Sequence, residues 1–217
     1  MKLWTKLVAG TIMTLAAVSA WAETPDPLWV KVVDNLQKTA KFVPRDIDTK
    51  MEVDKDGTKK NVSFKSQQTG WKDHEPTYTV SDIQPTPKDP SKIKPLDFEA
   101  MLKPMFRNVF EPNAEVKRTN GVKLNNVDTS LFEVEQSGLQ KFRVKVWANP
   151  ETGDVYRYDV HAEMPLTMAF DMSITLAETA TGVRLGTTRD TRFVSKVPFS
   201  KAGGHIVDTL SNWIPRQ

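Results

Sequence analysis

Residues 156–176 alternate without interruption between apolar and mostly polar side chains. A period of two residues is typical of a β-strand with one buried face and one solvated face. At the usual rise per residue, this segment would extend about 70 Å, which is longer than a domain of this size. The chain must therefore bend or reverse near Pro165. A hairpin loop there must hold an odd number of residues, because an even loop would place the two apolar sets on opposite faces. The apolar positions are Tyr156, Tyr158, Val160, Ala162, Met164, Leu166, Met168, Phe170, Met172, Ile174 and Leu176.

The first 22 residues have the features of a secretory signal peptide. Two lysines precede an apolar stretch at 7–20, which is too short to stay in a bilayer as a spanning helix. Ala20 and Ala22 supply the small residues that precede a cleavage site, so we expect cleavage before Glu23. An uncleaved anchor helix is the alternative. The sequence predicts a signal peptide at 1–22, export to the periplasm and no lipid anchor, since the residue after the cut is not cysteine.

The composition of the remaining chain excludes several classes of protein. Residues 23–217 are enough for a single domain with its own core. Loss of the two leader lysines lowers the formal charge from +3 to +1, which does not favour a nucleic-acid surface. The chain has no cysteine, and this excludes disulfides, thiol catalysis and cysteine-ligated zinc.

Two helices and a series of strands are predicted along the chain. The first helix spans 26–43, with Asp26 as its N-cap, Pro27 at its first position and Pro44 at its end. A second, short helix is expected at 97–103, before Pro104. The strands are predicted around 47–54, 62–71, 77–83, 114–118, 122–127, 130–136, 139–148, 183–197 and 206–213, in addition to the long alternation. This order indicates an α+β fold, with a large antiparallel sheet and helices gathered on one face.

Residues 84–95 contain four prolines and form a long surface loop. Two interpretations stay open for this loop, a lid over a ligand site and a plain connector.

No constellation of residues indicates catalysis or a cofactor. The three histidines, His74, His161 and His205, lack the spacing of metal ligands, and no nucleophile elbow or phosphate-binding glycine loop occurs. A glycosidase-type carboxylate pair is an alternative that nothing in the sequence favours. We therefore predict no catalytic residues, no metal site, no cofactor and no enzyme activity.

Three methionines in the alternating segment suit copper(I) by their chemistry. Met164, Met168 and Met172 are four residues apart, which on a strand separates successive side chains by about 13 Å. One ion cannot bridge that distance, so we prefer an apolar role for them.

The apolar face supports two interpretations, a filled core and a core that also encloses a ligand cavity. The face is long, while one regular helix and one interrupted helix are available to cover it, which favours the cavity. Methionine and phenylalanine side chains adapt well to irregular apolar ligands. The candidate ligand-binding residues are Phe142, Val144, Val146, Tyr156, Tyr158, Leu166, Met168, Phe170, Met172 and Ile174.

Two segments resemble the periplasmic lipoprotein-carrier (LolA/LolB-like) superfamily. They are 98–106, Phe-Glu-Ala-Met-Leu-Lys-Pro-Met-Phe, and 144–153, Val-Lys-Val-Trp-Ala-Asn-Pro-Glu-Thr-Gly. The resemblance extends to the order of elements over most of 23–217. It implies an incomplete β-barrel, formed by a large curved antiparallel sheet, with two or three helices covering its concave face.

The same resemblance implies a function in the periplasm. The protein would hold lipid or lipoprotein acyl chains in an apolar cavity, with helices 26–43 and 97–103 as its gate. The alternative is a ligand-free or lipid-sensing module that regulates a membrane partner. An inner- or outer-membrane protein is thus a further candidate partner, and nucleic acid is not.

Overall fold

The computed structural model describes residues 25–86, 109–136, 141–164, 167–197 and 202–217. These ranges contain one helix and ten strands. The elements are α1 (Pro27–Thr39), β1 (Phe42–Lys55), β2 (Thr58–Lys72), β3 (Glu75–Gln84), β4 (Lys117–Leu124), β5 (Val127–Gln136), β6 (Lys141–Ala148), β7 (Val155–Met164), β8 (Met168–Glu178), β9 (Arg184–Ser195) and β10 (Ala202–Pro215).

All ten strands form one antiparallel sheet with the order β3-β2-β1-β10-β9-β8-β7-β6-β5-β4. The first three strands form one meander and the last seven form another. The two meanders meet where β1 pairs with β10, from Phe42 opposite Pro215 to Lys55 opposite Ala202. Within the described strands, β3 and β4 are the two edges and do not pair with each other, so the sheet is open. This architecture agrees with the predicted antiparallel sheet and with an incomplete barrel.

Two or three helices were predicted, and the part of the chain that the structure describes contains one. The predicted helix at 97–103 lies outside the described residues, as do the signal peptide at 1–22 and the 84–95 loop from residue 87 onward. Within the described ranges, no helix has the length and hydropathy needed to cross a membrane.

The first helix is shorter than the sequence predicts. It ends at Thr39, and β1 begins three residues later. The prediction that the helix continues to Val43 is wrong, because Val43 pairs with Ile214 of β10 and is buried in the sheet. Pro44 also lies within β1, not at a helix end. Pairing of β1 with β2 begins only at Asp46, so a residue without an amide hydrogen is tolerated at Pro44.

The long alternating segment folds as a hairpin, as its length requires. Met164 of β7 pairs with Met168 of β8, which leaves a loop of three residues, 165–167. The odd loop keeps the apolar side chains of both strands on one face, with Val160 opposite Met172. The predicted reversal near Pro165 and the predicted parity of the loop are both confirmed.

The two weak strands predicted at 114–118 and 122–127 are one strand. Gly121, with φ of +69°, lies at a bulge inside β4, and the chain turns instead at Asn125 and Asn126. Both asparagines have positive φ, of 49° and 67°. Two such residues form the tight hairpin turn whose twist suits paired strands. The glycine therefore marks a bulge and the asparagine pair marks the strand end.

Candidate functional site

Helix α1 is fixed across one end of the sheet, beside the turn that joins β6 to β7. Asp26 caps it by accepting hydrogen bonds from the amides of Leu28 and Trp29. The side chain of Lys31 donates to the carbonyl of Glu151 in that turn over 2.9 Å. Near the other end of the helix, the Thr39 hydroxyl donates to the carbonyl of Arg184 over 2.8 Å. Contacts near both of its ends therefore hold α1 against this end of the sheet in the described conformation.

An aromatic cluster joins α1 to the sheet. Trp29 is fully buried, and its ring centroid lies 5.3 Å from that of Phe132 and 6.4 Å from that of Phe110. Phe110 in turn meets the ring of Tyr158 at 6.1 Å, in an edge-to-face arrangement. The Trp29 indole N–H donates to the carbonyl of Glu111 over 2.9 Å, so its polar atom is satisfied. These contacts bury the apolar side of α1.

Six of the ten candidate ligand-binding residues belong to the buried core. Their exposed fractions lie between 0 and 5%, so in this conformation they pack against other side chains. Tyr158 and Met168 are partly exposed and pack against the same core. Leu166 lies outside the described residues. The six buried residues are Phe142, Val144, Val146, Phe170, Met172 and Ile174.

Tyr156 does not continue the apolar face. A bulge between β6 and β7 pairs Ala148 with Val155 and Trp147 with Arg157, so Val155 takes the inward position. The Tyr156 ring instead lies under the Arg184 guanidinium, 4.5 Å from its centroid. A bulge shifts by one residue which side chains point to each face of the sheet. The alternation of apolar residues in the sequence does not reveal such a shift.

The apolar face extends past the core to the turn between β7 and β8, and the side chains at this end are partly exposed. Met164, Met168 and Phe193 are partly buried there and pack against the core cluster. Phe193 pairs with Phe170, so β8 and β9 continue the apolar surface to this end. We call Met164, Met168 and Phe193 the apolar rim.

A row of polar side chains interrupts the apolar face at its centre. Arg189 Nε donates to Asp208 Oδ2 over 2.8 Å, and the Thr49 hydroxyl donates to Asp208 Oδ1 over 2.7 Å. The side chains of Arg189 and Asp208 are 12% and 5% exposed, so the ion pair is buried. Arg189 pairs with Ile174, which belongs to the apolar core, and Asp208 and Thr49 follow as the next partners across the sheet. The polar row therefore lies on the same face of the sheet as the apolar core. We call Arg189, Asp208 and Thr49, together with Thr191, the polar cluster.

Among the described residues, two buried hydroxyls have no hydrogen-bond partner. They are the side chains of Thr191, which is fully buried, and Ser66, which is 2% exposed. Thr191 lies two residues from Arg189 on β9 and pairs with Met172 and Ile206, so it belongs to the same face. Ser66 lies on β2, opposite Ile47 and Val80.

Sequence reasoning missed the polar cluster. The middle of β9 is polar at every position, from Thr187 to Arg192. A bulge shifts the pairing there, because Leu176 pairs with Gly186 while Thr175 pairs with Thr188. Without apolar alternation, nothing in this strand indicates which side chains face inward.

The opposite face of the sheet carries a polar groove of about 570 Å³. Charged side chains on this face are paired, either along one strand or between neighbouring strands. Arg157 binds both carboxylate oxygens of Asp159, at 2.7 and 3.0 Å. His161 Nδ1 lies 2.7 Å from Asp171, and His205 Nε2 lies 2.9 Å from Asp190. This mutual pairing is typical of a solvated sheet face.

Two glutamates on this face are held in their charged form. A hydrogen bond from Lys145 lowers the pKa of Glu133, and a hydrogen bond from Lys196 lowers the pKa of Glu163. The corresponding nitrogen-to-oxygen distances are 2.8 and 3.2 Å. The first pair joins the neighbouring strands β5 and β6, and the second joins β7 to Lys196, which follows β9.

Potential metal ligands do not gather in the described ranges. Among those residues, no group of three histidine, cysteine, aspartate or glutamate side chains is placed to hold an ion. His74 lies in the turn between β2 and β3, whereas His161 lines the polar groove and His205 lies on β10.

Comparison with known proteins gives one distant structural similarity. No protein-family model and no curated protein matches the chain. A solved structure of a DUF1329 family protein from Desulfovibrio piger is similar with a TM-score of 0.38 and 12% sequence identity. The similarity covers 88% of this chain and 93% of that one. At this level it identifies neither a family nor a function, so the resemblance to the lipoprotein-carrier superfamily stays a prediction.

Proposed function

We propose that this protein is a periplasmic binding or carrier protein, and that an acylated or other apolar ligand binds on the apolar face of its sheet. The observation that carries the proposal is the apolar rim. It continues the core surface to an end of the sheet that lies away from α1, where its side chains are partly exposed. Exposed methionine and phenylalanine next to a core offer a soft, adaptable contact for an acyl chain.

The burial of six candidate residues determines how such a ligand would bind. Because Phe142, Phe170 and Met172 are at most 3% exposed, the ligand cannot enter a preformed chamber between them. It would first contact the apolar rim and then replace native packing along β7 and β8. The proposal therefore requires a second conformation in which this face is open, with α1 still fixed at the other end.

Lipid binding is tested directly with the exported, processed protein. Native mass spectrometry and solvent extraction should reveal bound acyl lipid, and the protein should bind the uncharged apolar dye N-phenyl-1-naphthylamine. Neither bound lipid nor dye binding, under conditions in which a known lipid carrier shows both, would overturn the proposal.

The rim is tested by charge insertion. Met168→Glu places a carboxylate in the partly exposed rim and should weaken dye binding at least tenfold while the protein stays folded. The matched control is Val194→Glu. Val194 pairs with Ala169, the neighbour of Met168, but is 59% exposed on the other face of the sheet. Equal dye affinity of the two variants would contradict a site at the rim.

An interaction module is the second candidate function. The observation that favours it is the pair of sheet edges, β3 and β4, each of which pairs on one side only within the described strands. An exposed edge can accept a strand from a partner. Co-purification of a membrane protein in the absence of bound lipid would support this function instead.

A further inference from the structure

The polar cluster lies where the acyl ligand of the proposed function would lie. Thr191 pairs with Met172 on one side and with Ile206 on the other, and both neighbours are buried on the apolar face. Arg189 likewise pairs with Ile174. A ligand that replaces packing along this face would therefore bring its own atoms beside the cluster.

We propose that the polar cluster is the subsite for the polar group of that ligand, and that this group is an uncharged ester, amide or alcohol. The inference rests on the proposed function and adds the chemical class of the ligand. The ligand would be an amphiphile with a hydrogen-bonding linkage, such as an acylglycerol or an amide-linked acyl chain, and not a plain hydrocarbon.

Charge balance within the cluster disfavours a charged group. Arg189 and Asp208 neutralise each other at 2.8 Å, and their side chains are about nine-tenths buried. An anionic group would approach the Asp208 carboxylate, and a cationic group would approach the Arg189 guanidinium. Both repulsions are strong in a buried site, where water does not screen them. An uncharged group meets neither penalty.

The Thr191 hydroxyl supplies an unused hydrogen bond. It is fully buried and has no partner, although it can both donate and accept. An unpartnered buried hydroxyl lowers stability, and a valine of nearly the same shape would avoid that penalty. A carbonyl or hydroxyl of a bound ligand would satisfy it. This second observation, independent of the ion pair, points to a hydrogen-bonding ligand.

The test compares three amphiphiles with the same twelve-carbon chain below their critical micelle concentrations. They are monolauroylglycerol, laurate and dodecyltrimethylammonium, each measured by displacement of N-phenyl-1-naphthylamine. Monolauroylglycerol should bind most tightly to the wild type. Thr191→Val should weaken its binding about threefold to tenfold, the size expected for one hydrogen bond.

Ser66→Ala is the matched control, because it removes the other unpartnered buried hydroxyl, on β2 and outside the polar cluster. It should leave the affinity for monolauroylglycerol unchanged. Asp208→Asn gives a complementary test, since it removes the carboxylate charge beside Arg189 and should shift the preference toward laurate. If that variant does not fold, the comparison of Thr191→Val with Ser66→Ala still tests whether the Thr191 hydroxyl contacts the bound ligand.

The possible failures are distinguishable. Absence of dye binding in the wild type would overturn the proposed function itself. Dye binding with equal affinity for all three amphiphiles would overturn the polar subsite and leave the binding function intact. A Thr191→Val protein with raised thermal stability and unchanged affinity for monolauroylglycerol would likewise show that the hydroxyl is simply unpaired.

Discussion

Arg189 on β9 donates a hydrogen bond to Asp208 on β10 within the face of the sheet that is otherwise apolar, and Thr49 on β1 completes the row. The three strands span the junction at which the first meander, β1 to β3, joins the second. A slip of one residue in the pairing of β1 with β10 would turn Thr49 to the other face and separate it from Asp208. The hydrogen bond from Thr49 to Asp208 therefore favours one register between the two halves of the sheet.

Removal of one partner of this pair should cost more stability than removal of both. Asp208→Ala leaves a buried guanidinium without its carboxylate, and we expect a loss of about 3–5 kcal/mol in unfolding free energy. The double variant Arg189→Met with Asp208→Leu should recover most of that loss. Urea unfolding of the single and double variants measures the coupling. A loss below about 1 kcal/mol for Asp208→Ala would show that the pair is effectively solvated.

Two methionines on the same strand and face should differ in their contribution to stability. Met172 is 3% exposed, and Met172→Ala should cost about 2–5 kcal/mol because it leaves a cavity. Met168 belongs to the partly exposed apolar rim, so Met168→Ala should cost less than about 1 kcal/mol while it weakens dye binding. Chemical denaturation and dye titration check both effects. Equal losses of stability would place both residues in one closed core.

The turn between β6 and β7 should not accept a side chain at Gly153. A Cβ atom there would lie 2.7 Å from the Cβ of Lys31 and 3.0 Å from the amide nitrogen of Val32, at a φ of +75°. Gly182→Ala is the control, since its φ is +76° and nothing lies within 4 Å. We expect about 1 kcal/mol of strain in both variants. Gly153→Ala should lose a further 1–3 kcal/mol, roughly, because it presses on α1. Equal melting temperatures would contradict the close approach of turn and helix.

The Glu133–Lys145 pair should give a pH-dependent contribution to stability. Lys145 lowers the folded-state pKa of Glu133 below the ordinary value of 4.5. As the pH falls, the unfolded chain therefore takes up this proton before the folded protein does. The contribution of the pair to stability is complete above the unfolded-state pKa and is lost as the pH falls through the lower folded-state pKa. At pH 7, Glu133→Gln should cost about 0.5 kcal/mol, since the pair is partly solvated. This difference should shrink below about pH 4.5.

Glu135→Gln serves as the control for that titration. Glu135 lies on the same strand, is 69% exposed, and stands 3.9 Å from Arg143. Urea unfolding between pH 3 and pH 7 (roughly the range in which carboxylates titrate) should show little change for this variant. A pH-independent effect of Glu133→Gln would contradict the proposed cause.

The reversal at Pro165 was predictable because it depends only on chain length and parity. An alternation of 21 residues is too long for one strand, and a common face for Val160 and Met172 requires an odd loop. The cap at Asp26 was predictable for a similar reason, since capping involves residues that are adjacent in sequence. Each of these features is decided within a few residues of the chain.

The extent of α1 and the position of Tyr156 depended on partners that are distant in sequence. Val43 joins a strand because β10, more than 170 residues later, pairs with it. Tyr156 leaves the apolar face because of a bulge against β6, and Arg184 then covers its ring. Local periodicity contains no information about either partner.

By itself, the sequence determined the class of the fold and, except at Tyr156, which residues of β7 and β8 share a face, because alternation and turn chemistry are local. Only the tertiary structure decided which members of that face are fully buried, and that Arg189, Asp208 and Thr49 meet on it. The reason is that burial and ion pairing depend on the register of strands far apart in the chain.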